Sequence, residues 1–497
     1  MKIKQGIVYL LIIVGFLTFG AGLFNNFAAD DEGLIIQNFG SSFTANYFKP
    51  VFYFTVSNIR AAFGPNPIIF HLVSLVLHIT NSILLLSLFK KYFNHKTAYF
   101  LSLVFLVHPA AVESVAYASA MQEPLFLFFG LLALLFKNII VSGSFILLSV
   151  LSKETGILFL PVWLYMRRDF RIFVILGIYA VQRFWIFKVF FNKEVVAPIM
   201  IIDLYSRLAT SVEVLWRYLV LFFVPINLSF GQNWLVEKFD LIKLFFLIFL
   251  FVLIFAKLKS KLFLLWAGIG LLLHSQIFMP LDGTFSERWF YFPLIGFLGI
   301  VGSFVKVRPA YFLIPMVFAV LSFSRVLDWK DSLTLFLRDA NKSESFMVES
   351  GLASELLRID KPDEAKRHAL KSVALFGTHI NNINLGAIYI KMGELENAEI
   401  ALNNSLHYGT LVQSYQGLAI VYILKGENEK AVLITGEGLK RYPRFANLWL
   451  YMGVAKYRLG QKNEGLTAVQ KSFTLNPLPE TQVIINAMQK GDNKFFL

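Results

Sequence analysis

Residues 310–331 read AYFLIPMVFAVLSFSRVLDWKD. Up to Ser324 the stretch is almost wholly apolar; then Arg325, Asp328, Lys330 and Asp331 follow one another closely. Upstream, long apolar runs are broken by short charged loops, and downstream charged and polar residues are frequent. The boundary near Ser324–Trp329 is therefore a change of solvent, from bilayer to water. The 497-residue chain is 57% hydrophobic against 16% charged, with 53 phenylalanines and a mean hydropathy of +0.62. A water-soluble fold has no means of hiding that much apolar surface, whereas lipid acts as its solvent. The reading is an all-α chain in three parts: a polytopic helical membrane domain over 1–328, a connecting helix over 329–345, and a helical solenoid over 346–497.

Beyond the boundary, small residues align the chain into four units starting near Phe346, His379, Val412 and Ala446. Spacings of about 34 residues are the period of tetratricopeptide (TPR) repeats. The second unit carries Leu385-Gly386, Tyr389, Gly393 and Ala398; the third Leu418-Ala419, Tyr422, Gly426, Ala431 and Pro443. The fourth has Trp449, Gly453, Gly460 and Pro477, while the first is degenerate, keeping Ala353, Ala365 and Ser372. Small residues let paired helices approach closely, and proline ends the second helix of a pair. Such solenoids bind peptides or partner proteins, and a purely structural docking role fits these residues equally well.

Before the boundary, apolar segments cover roughly 7–24, 67–89, 97–112, 120–136, 139–151, 156–166, 172–191, 241–256, 262–279, 289–305 and 310–324. These predict about eleven to twelve transmembrane helices. The first is read as an uncleaved span, since its run of 18 residues is longer than a signal-peptide core. Lys2/Lys4, Lys90/Lys91/Lys96, Lys137, Arg167/Arg168/Arg171, Lys257/Lys259/Lys261 and Lys306/Arg308 fall in alternate loops, which the positive-inside rule places in the cytoplasm. That gives eleven spans and puts the solenoid on the other side. Segment 211–228 would break the alternation if it crossed, and is read as interfacial or re-entrant. Of the 14 acids in residues 1–324, every one except Asp169 then lies at the outer face.

The formal charge of +14 is accounted for by these loops, and no basic tract interleaved with aromatics suggests a nucleic-acid partner. With no cysteine, disulfides and thiolate chemistry are excluded. No phosphate-cradling glycine loop, HExxH or Gly-x-Ser-x-Gly is present.

Charged residues at membrane depth are costly and point to function. The first outer loop reads Asn25-Asn26-Phe27-Ala28-Ala29-Asp30-Asp31-Glu32. Its three consecutive carboxylates can be a solvated loop, a cation site, or a general base whose pKa is raised by like-charge repulsion. Lys49-Pro50 and Arg60 can meet a lipid phosphate or merely snorkel to the interface. His108-Pro109 with Glu113 reads as helix termination as readily as a site. Lys153-Glu154 and Glu287-Arg288 each read as function or as a local ion pair.

In order, Asp30-Asp31, Tyr47-Phe48-Lys49-Pro50, Phe70-His71, His78 with Asn81, and His108-Pro109 with Glu113 lead to Leu151-Ser152-Lys153-Glu154-Thr155-Gly156. Leu160-Pro161, Ser286-Glu287-Arg288-Trp289-Phe290-Tyr291-Phe292-Pro293 and Asp328-Trp329-Lys330-Asp331 then precede the repeats. Together they resemble the transmembrane and tetratricopeptide-repeat-containing O-mannosyltransferases, of the GT-C glycosyltransferase superfamily. The resemblance implies transfer of a sugar, with inversion, from a polyprenyl-phosphate-linked donor to an acceptor, a protein in this family, on the non-cytoplasmic face. It makes Asp30 and Asp31 the candidate catalytic carboxylates. It makes Lys49, Lys153 and Arg288 the candidates to hold the donor phosphate, with Glu32, His108, Glu113, Glu154 and Glu287 in support. A divalent cation is one cofactor option, since superfamily members differ in requiring one. Lys49 stands where the family pattern usually has arginine, which keeps the charge and loses the bidentate fork.

The missing cysteines and short loops point to a bacterial inner-membrane protein, whose donor would be an undecaprenyl-phosphate-linked sugar, mannose being one option. The rival from another class is a non-catalytic membrane scaffold whose repeats recruit envelope proteins.

Overall fold

The computed structural model describes residues 5–37, 48–187, 189, 195–258, 261–409 and 411–492. Lys2, Lys4, Tyr47, Lys259 and the end of segment 172–191, used in the reading above, lie outside the described residues. The chain divides into two compact units, Met1–Glu344 and Ser345–Leu497. Both are helical, and among the described residues the sole strand-like contact is one bridge between Gln232 and Phe285.

In the first unit, Gln5–Phe24, Pro67–Phe89, Ala118–Leu135 and Pro309–Asp328 are long and apolar enough to cross a bilayer. His95–Val107 and Pro109–Ala116 make a fifth span if joined across their 51° bend. Shorter apolar helices occupy Ile139–Ser152, Leu262–His274 and Pro293–Phe304. The sequence counts more spans than length alone gives here, because several apolar segments are divided between helix types. Segment 156–166 splits into a 3₁₀ turn, Glu154–Leu158, and a helix, Phe159–Arg167. Segment 172–191 splits into Phe170–Ile172, Phe173–Ala180 and a π-helical turn, Val181–Ile186. The apolar stretch at 211–228 belongs to a longer helix, Leu204–Phe223, which carries Arg207, Glu213 and Arg217. Asp203 opens it by accepting from the Ser206 amide at 3.0 Å.

Apolar contacts give no preference for helix over lipid, so buried hydrogen bonds and close packing hold such a unit together. His78 Nε2 donates to the Leu106 carbonyl at 2.8 Å, which leaves Nδ1 to accept the Tyr291 hydroxyl at 2.7 Å. Asn81 donates to the Pro124 carbonyl (2.9 Å), Ser149 to Phe126 (2.7 Å) and Ser322 to Val107 (2.8 Å). Each bond ties residues far apart in the chain. At Gly296 a Cβ would stand 2.3 Å from the Ala267 amide nitrogen, so the helices Leu262–His274 and Pro293–Phe304 meet backbone to backbone.

The second unit is a TPR α-solenoid. Its helix pairs begin at Phe346, His379, Val412 and Ala446. Gly393 and Gly426 end the first helices of the second and third pairs with φ of 76° and 77°, a left-handed conformation in which glycine carries no Cβ penalty. Ala398, Ala401 and Leu402 of Leu395–Tyr408 are buried, and so is Tyr389 of the facing helix. A final helix, Pro479–Gln489, buries Ile484, Ile485 and Met488 in the cluster formed with Tyr451, Val454 and Val469, closing the stack's apolar end.

Candidate functional site

The loop after the first span is fastened to the end of the last span and to the segment that follows it. Asn25 Nδ2 donates to the Val326 carbonyl (3.0 Å), the Asn26 amide to Lys330 (2.9 Å), and the Ala29 amide to Ser332 Oγ (3.0 Å). Ala29 takes a left-handed φ of 52° there, and the chain turns so that the two following aspartates diverge. Asp31 is buried and accepts three backbone amides: Ser119 on Oδ1 at 2.7 Å, and Ala118 (3.3 Å) and Ala28 (3.2 Å) on Oδ2. Ala118 and Ser119 open the helical stretch Ala118–Leu135, so Asp31 caps that span from across the fold. Burial pushes its pKa up to about 7 against the pull of these donors, so the cause is desolvation and not repulsion by its neighbour.

Asp30 is exposed instead, and its Oδ2 accepts the Tyr117 hydroxyl at 3.3 Å. Tyr117 stacks on buried Trp329, with ring centroids 5.3 Å apart at 28°. The Arg288 guanidinium lies 5.7 Å from the Tyr117 ring centroid. Burial first, then the charges of Asp30 and Asp31, hold the Tyr117 phenol well above its ordinary pKa, so it stays a donor. Glu32 is exposed at the start of a π-helical turn, Glu32–Gln37.

The three cations expected to hold phosphate converge. Glu113 is buried and positions Arg288 twice, accepting its backbone amide at 3.0 Å and pairing with Nη1 at 3.4 Å. The same carboxylate accepts the Ser286 hydroxyl at 3.1 Å. Lys153 pairs with buried Glu123 and lies 5.7 Å from the Phe126 ring centroid. Lys49, just ahead of the helix Pro50–Phe63, has its pKa lowered to about 8 by burial first and then by Lys153, while Glu154 pulls upward and Arg288 down again. Asp282 is exposed within electrostatic reach of Lys49 and Arg288.

The paired motifs come apart. Lys153 and Glu154 do not bridge one another: Glu154 accepts the Phe48 amide at 3.3 Å and pairs with buried Arg183. Glu287 turns away from Arg288 and accepts the Ser229 amide at 2.5 Å, its carboxyl pushed up by burial. Arg325 and Asp339, which bind each other at 2.7 and 2.9 Å, also act on it. His108 caps the bend of the broken span. Its Nδ1 accepts the Ala110 amide and its Nε2 donates to the Phe222 carbonyl, both at 3.2 Å.

Sequence reasoning missed Tyr117, Glu123 and Arg183. Glu123 had a signal, a carboxylate at the head of an apolar segment; Arg183 lay inside a segment read as a span. As for the divalent cation, the described residues hold no cluster of three or more His, Asp or Glu able to bind one. Asp31, one of the three loop acids, is taken up by backbone amides, while Asp30 and Glu32 are exposed.

No protein-family model matches the chain. It is 25% identical over 398 residues to a protein O-mannosyl-transferase of Caenorhabditis elegans, covering 67% of this chain and 57% of that protein. The chain thus spans little more than half the length of that relative. Among solved structures, MamA residues 41 to the end from Desulfovibrio magneticus matches 30% of this chain and 87% of its own, at 18% identity and a TM-score of 0.27. The anaphase-promoting-complex hetero-tetramer Cut9–Hcn1 matches 88% and 89%, at 12% identity and a TM-score of 0.31. The class that the fold defines is a helical membrane protein carrying a TPR solenoid, similar over two thirds of its length to a protein O-mannosyl-transferase.

Proposed function

We propose that the chain is a membrane glycosyltransferase that moves a sugar from a polyprenyl-phosphate-linked donor to an acceptor, a protein, on the non-cytoplasmic face. The observation that carries this reading is the junction of Asp30, Tyr117 and Arg288. An exposed carboxylate stands one hydroxyl away from the ring over which a phosphate-binding guanidinium lies. In the reaction, Asp30 takes the proton of the acceptor hydroxyl. That oxygen bonds to the anomeric carbon as the bond from this carbon to the phosphate oxygen breaks. The released lipid phosphate carries its new charge onto Arg288, Lys153 and Lys49. Asp31 keeps the loop in register, and Glu113 and Glu123 aim two of the cations. Mannose is the sugar suggested by the relative's name.

An apolar groove of about 630 Å³ among the helices Leu204–Phe223, Leu241–Lys257, Leu262–His274 and Pro293–Phe304 supports a lipid-borne donor. Trp216, Leu219, Phe246, Leu250, Leu271 and Phe297 line it. The basic loops Lys90/Lys91/Lys96 and Arg167/Arg168/Arg171 support an inner-membrane protein with these loops in the cytoplasm and the solenoid outside, holding the acceptor or a partner. The test compares envelope glycoproteins in cells carrying wild type, Asp30→Asn, or a deletion. Asp30→Asn should reproduce the deletion, with a loss of about 10²–10⁴-fold in transfer rate. Glycosylation that the deletion abolishes and Asp30→Asn leaves intact would sink the carboxylate mechanism. A deletion that changes no glycan, while solenoid partners still co-purify with wild type, would favour the scaffold reading.

A further inference from the structure

We propose that His274 is a sugar-contacting residue, its Nε2 lone pair accepting one hydroxyl of the donor sugar beside the lipid phosphate. The inference rests on the transferase reading above and concerns a residue that reading leaves unused. His274 is the last residue of the helix Leu262–His274, and its ring is within electrostatic reach of the Lys153 ammonium. Its tautomer follows from one contact. Nδ1 lies 2.8 Å from the Gly270 carbonyl, which can only accept, so Nδ1 carries the hydrogen and Nε2 keeps a free lone pair.

Two other buried histidines of this unit are spent, while His71 lies in the pocket beside Phe19, Gly22 and Val115 with neither ring nitrogen hydrogen-bonded among the described residues. His78 uses its ring nitrogens on Leu106 and Tyr291, His108 on Phe222 and Ala110. Among the described residues nothing is hydrogen-bonded to His274 Nε2. The ring cannot swing away to find a partner. It lies flat on Trp289, with centroids 5.5 Å apart at 17°, and is 4% exposed. Trp289 directly follows Arg288, so the stack fixes the imidazole to the element that carries the phosphate-binding guanidinium.

The chemistry of the neighbourhood calls for such a group. Lys49, Lys153, Arg288 and the Tyr117 hydroxyl are donors. Among the acceptors, Asp31, Glu113 and Glu123 are already engaged, Asp30 is reserved for the acceptor's proton, and Asp282 is a charged, exposed carboxylate. Sugar hydroxyls also need acceptors, and a carboxylate placed beside the donor phosphate would repel it. A neutral imidazole nitrogen accepts without that repulsion. A site that matches one hydroxyl in this way discriminates against a donor lacking it.

The experiment uses the full-length protein in lipid nanodiscs with polyprenyl-phosphate mannose and its 2-, 3-, 4- and 6-deoxy analogues. His274→Leu should lower kcat/KM on the complete sugar by about tenfold, the scale of one neutral hydrogen bond. His274→Gln, whose amide oxygen also accepts, should recover most of it. One deoxy donor should cost wild type the same factor and cost His274→Leu nothing further. Equal losses by His274→Leu on all five donors, or no loss on any, overturn the inference while leaving the transferase reading intact. No transfer by wild type from any of them, with the acceptor supplied, overturns the reading and the inference together.

Discussion

Lys49 is the most responsive single group at the site, because burial and two neighbouring cations lower its pKa to about 8. A phosphate must be met by its charged form, so donor binding should weaken as pH rises through that value. Lys49→Arg stays charged throughout. The donor KM of wild type should rise severalfold between about pH 7 and 9 while that of Lys49→Arg stays flat; parallel curves would remove Lys49 from the phosphate site. Asp31 makes the opposite kind of statement. Its folded pKa, about 7, lies above its ordinary 3.8, so the folded state holds a proton that the unfolded state has released. Stability from this group is present below about pH 4 and lost as pH rises to about 7. Relative to Asp31→Asn, wild type should show a falling melting temperature across that window, and no slope in the difference would refute the assignment. The sequence showed Asp30-Asp31 as a pair and could not say which member faces water. That depends on the amides of Ala118 and Ser119, 87 and 88 residues away.

Elements carry the site through close approach. At Gly156 a Cβ would sit 2.4 to 2.6 Å from backbone atoms of Ser149 and Val150, so the 3₁₀ turn Glu154–Leu158 folds directly onto the end of Ile139–Ser152. Lys153 and Glu154 lie in that fold-back and reach separate partners because of it. Gly156→Ala should therefore destabilise the protein by about 1–3 kcal/mol and also lower kcat/KM for the donor. A variant melting like wild type would refute the close approach. The sequence supplied the apolar segments, the proline at His108-Pro109 and the glycine ends of the repeat helices, since each is a local signal. It did not supply the breaks within 154–186. There each apolar segment, 156–166 and 172–191, reads as one helix, and where a helix gives way to a 3₁₀ or π turn is settled by tertiary partners such as the Glu154–Arg183 pair. The His78–Tyr291 bond was equally hidden, its two residues being 213 positions apart.

At the scale of the whole molecule, the two units obey different physics. In the first, polar bonds and glycine contacts join apolar helices. In the second, repeated small residues and a capping helix bury an apolar seam in water. The repeat was fully legible because its period is local. The side of the membrane on which it stands was read from the basic loops alone. The chain has no cysteine, so single cysteines can report that side without background. Lys462→Cys in the fourth repeat and Arg171→Cys in a basic loop are both exposed positions. A membrane-impermeant maleimide applied to cells with a permeable outer envelope and an intact inner membrane should label Lys462→Cys and leave Arg171→Cys unlabelled until the membrane is opened. The reverse pattern would place the solenoid in the cytoplasm. On the eleven-span reading it would also move Asp30 to the opposite side from any acceptor outside the cell, because that reading puts an odd number of crossings between the first outer loop and the loop at Arg171, and an even number between the first outer loop and the solenoid.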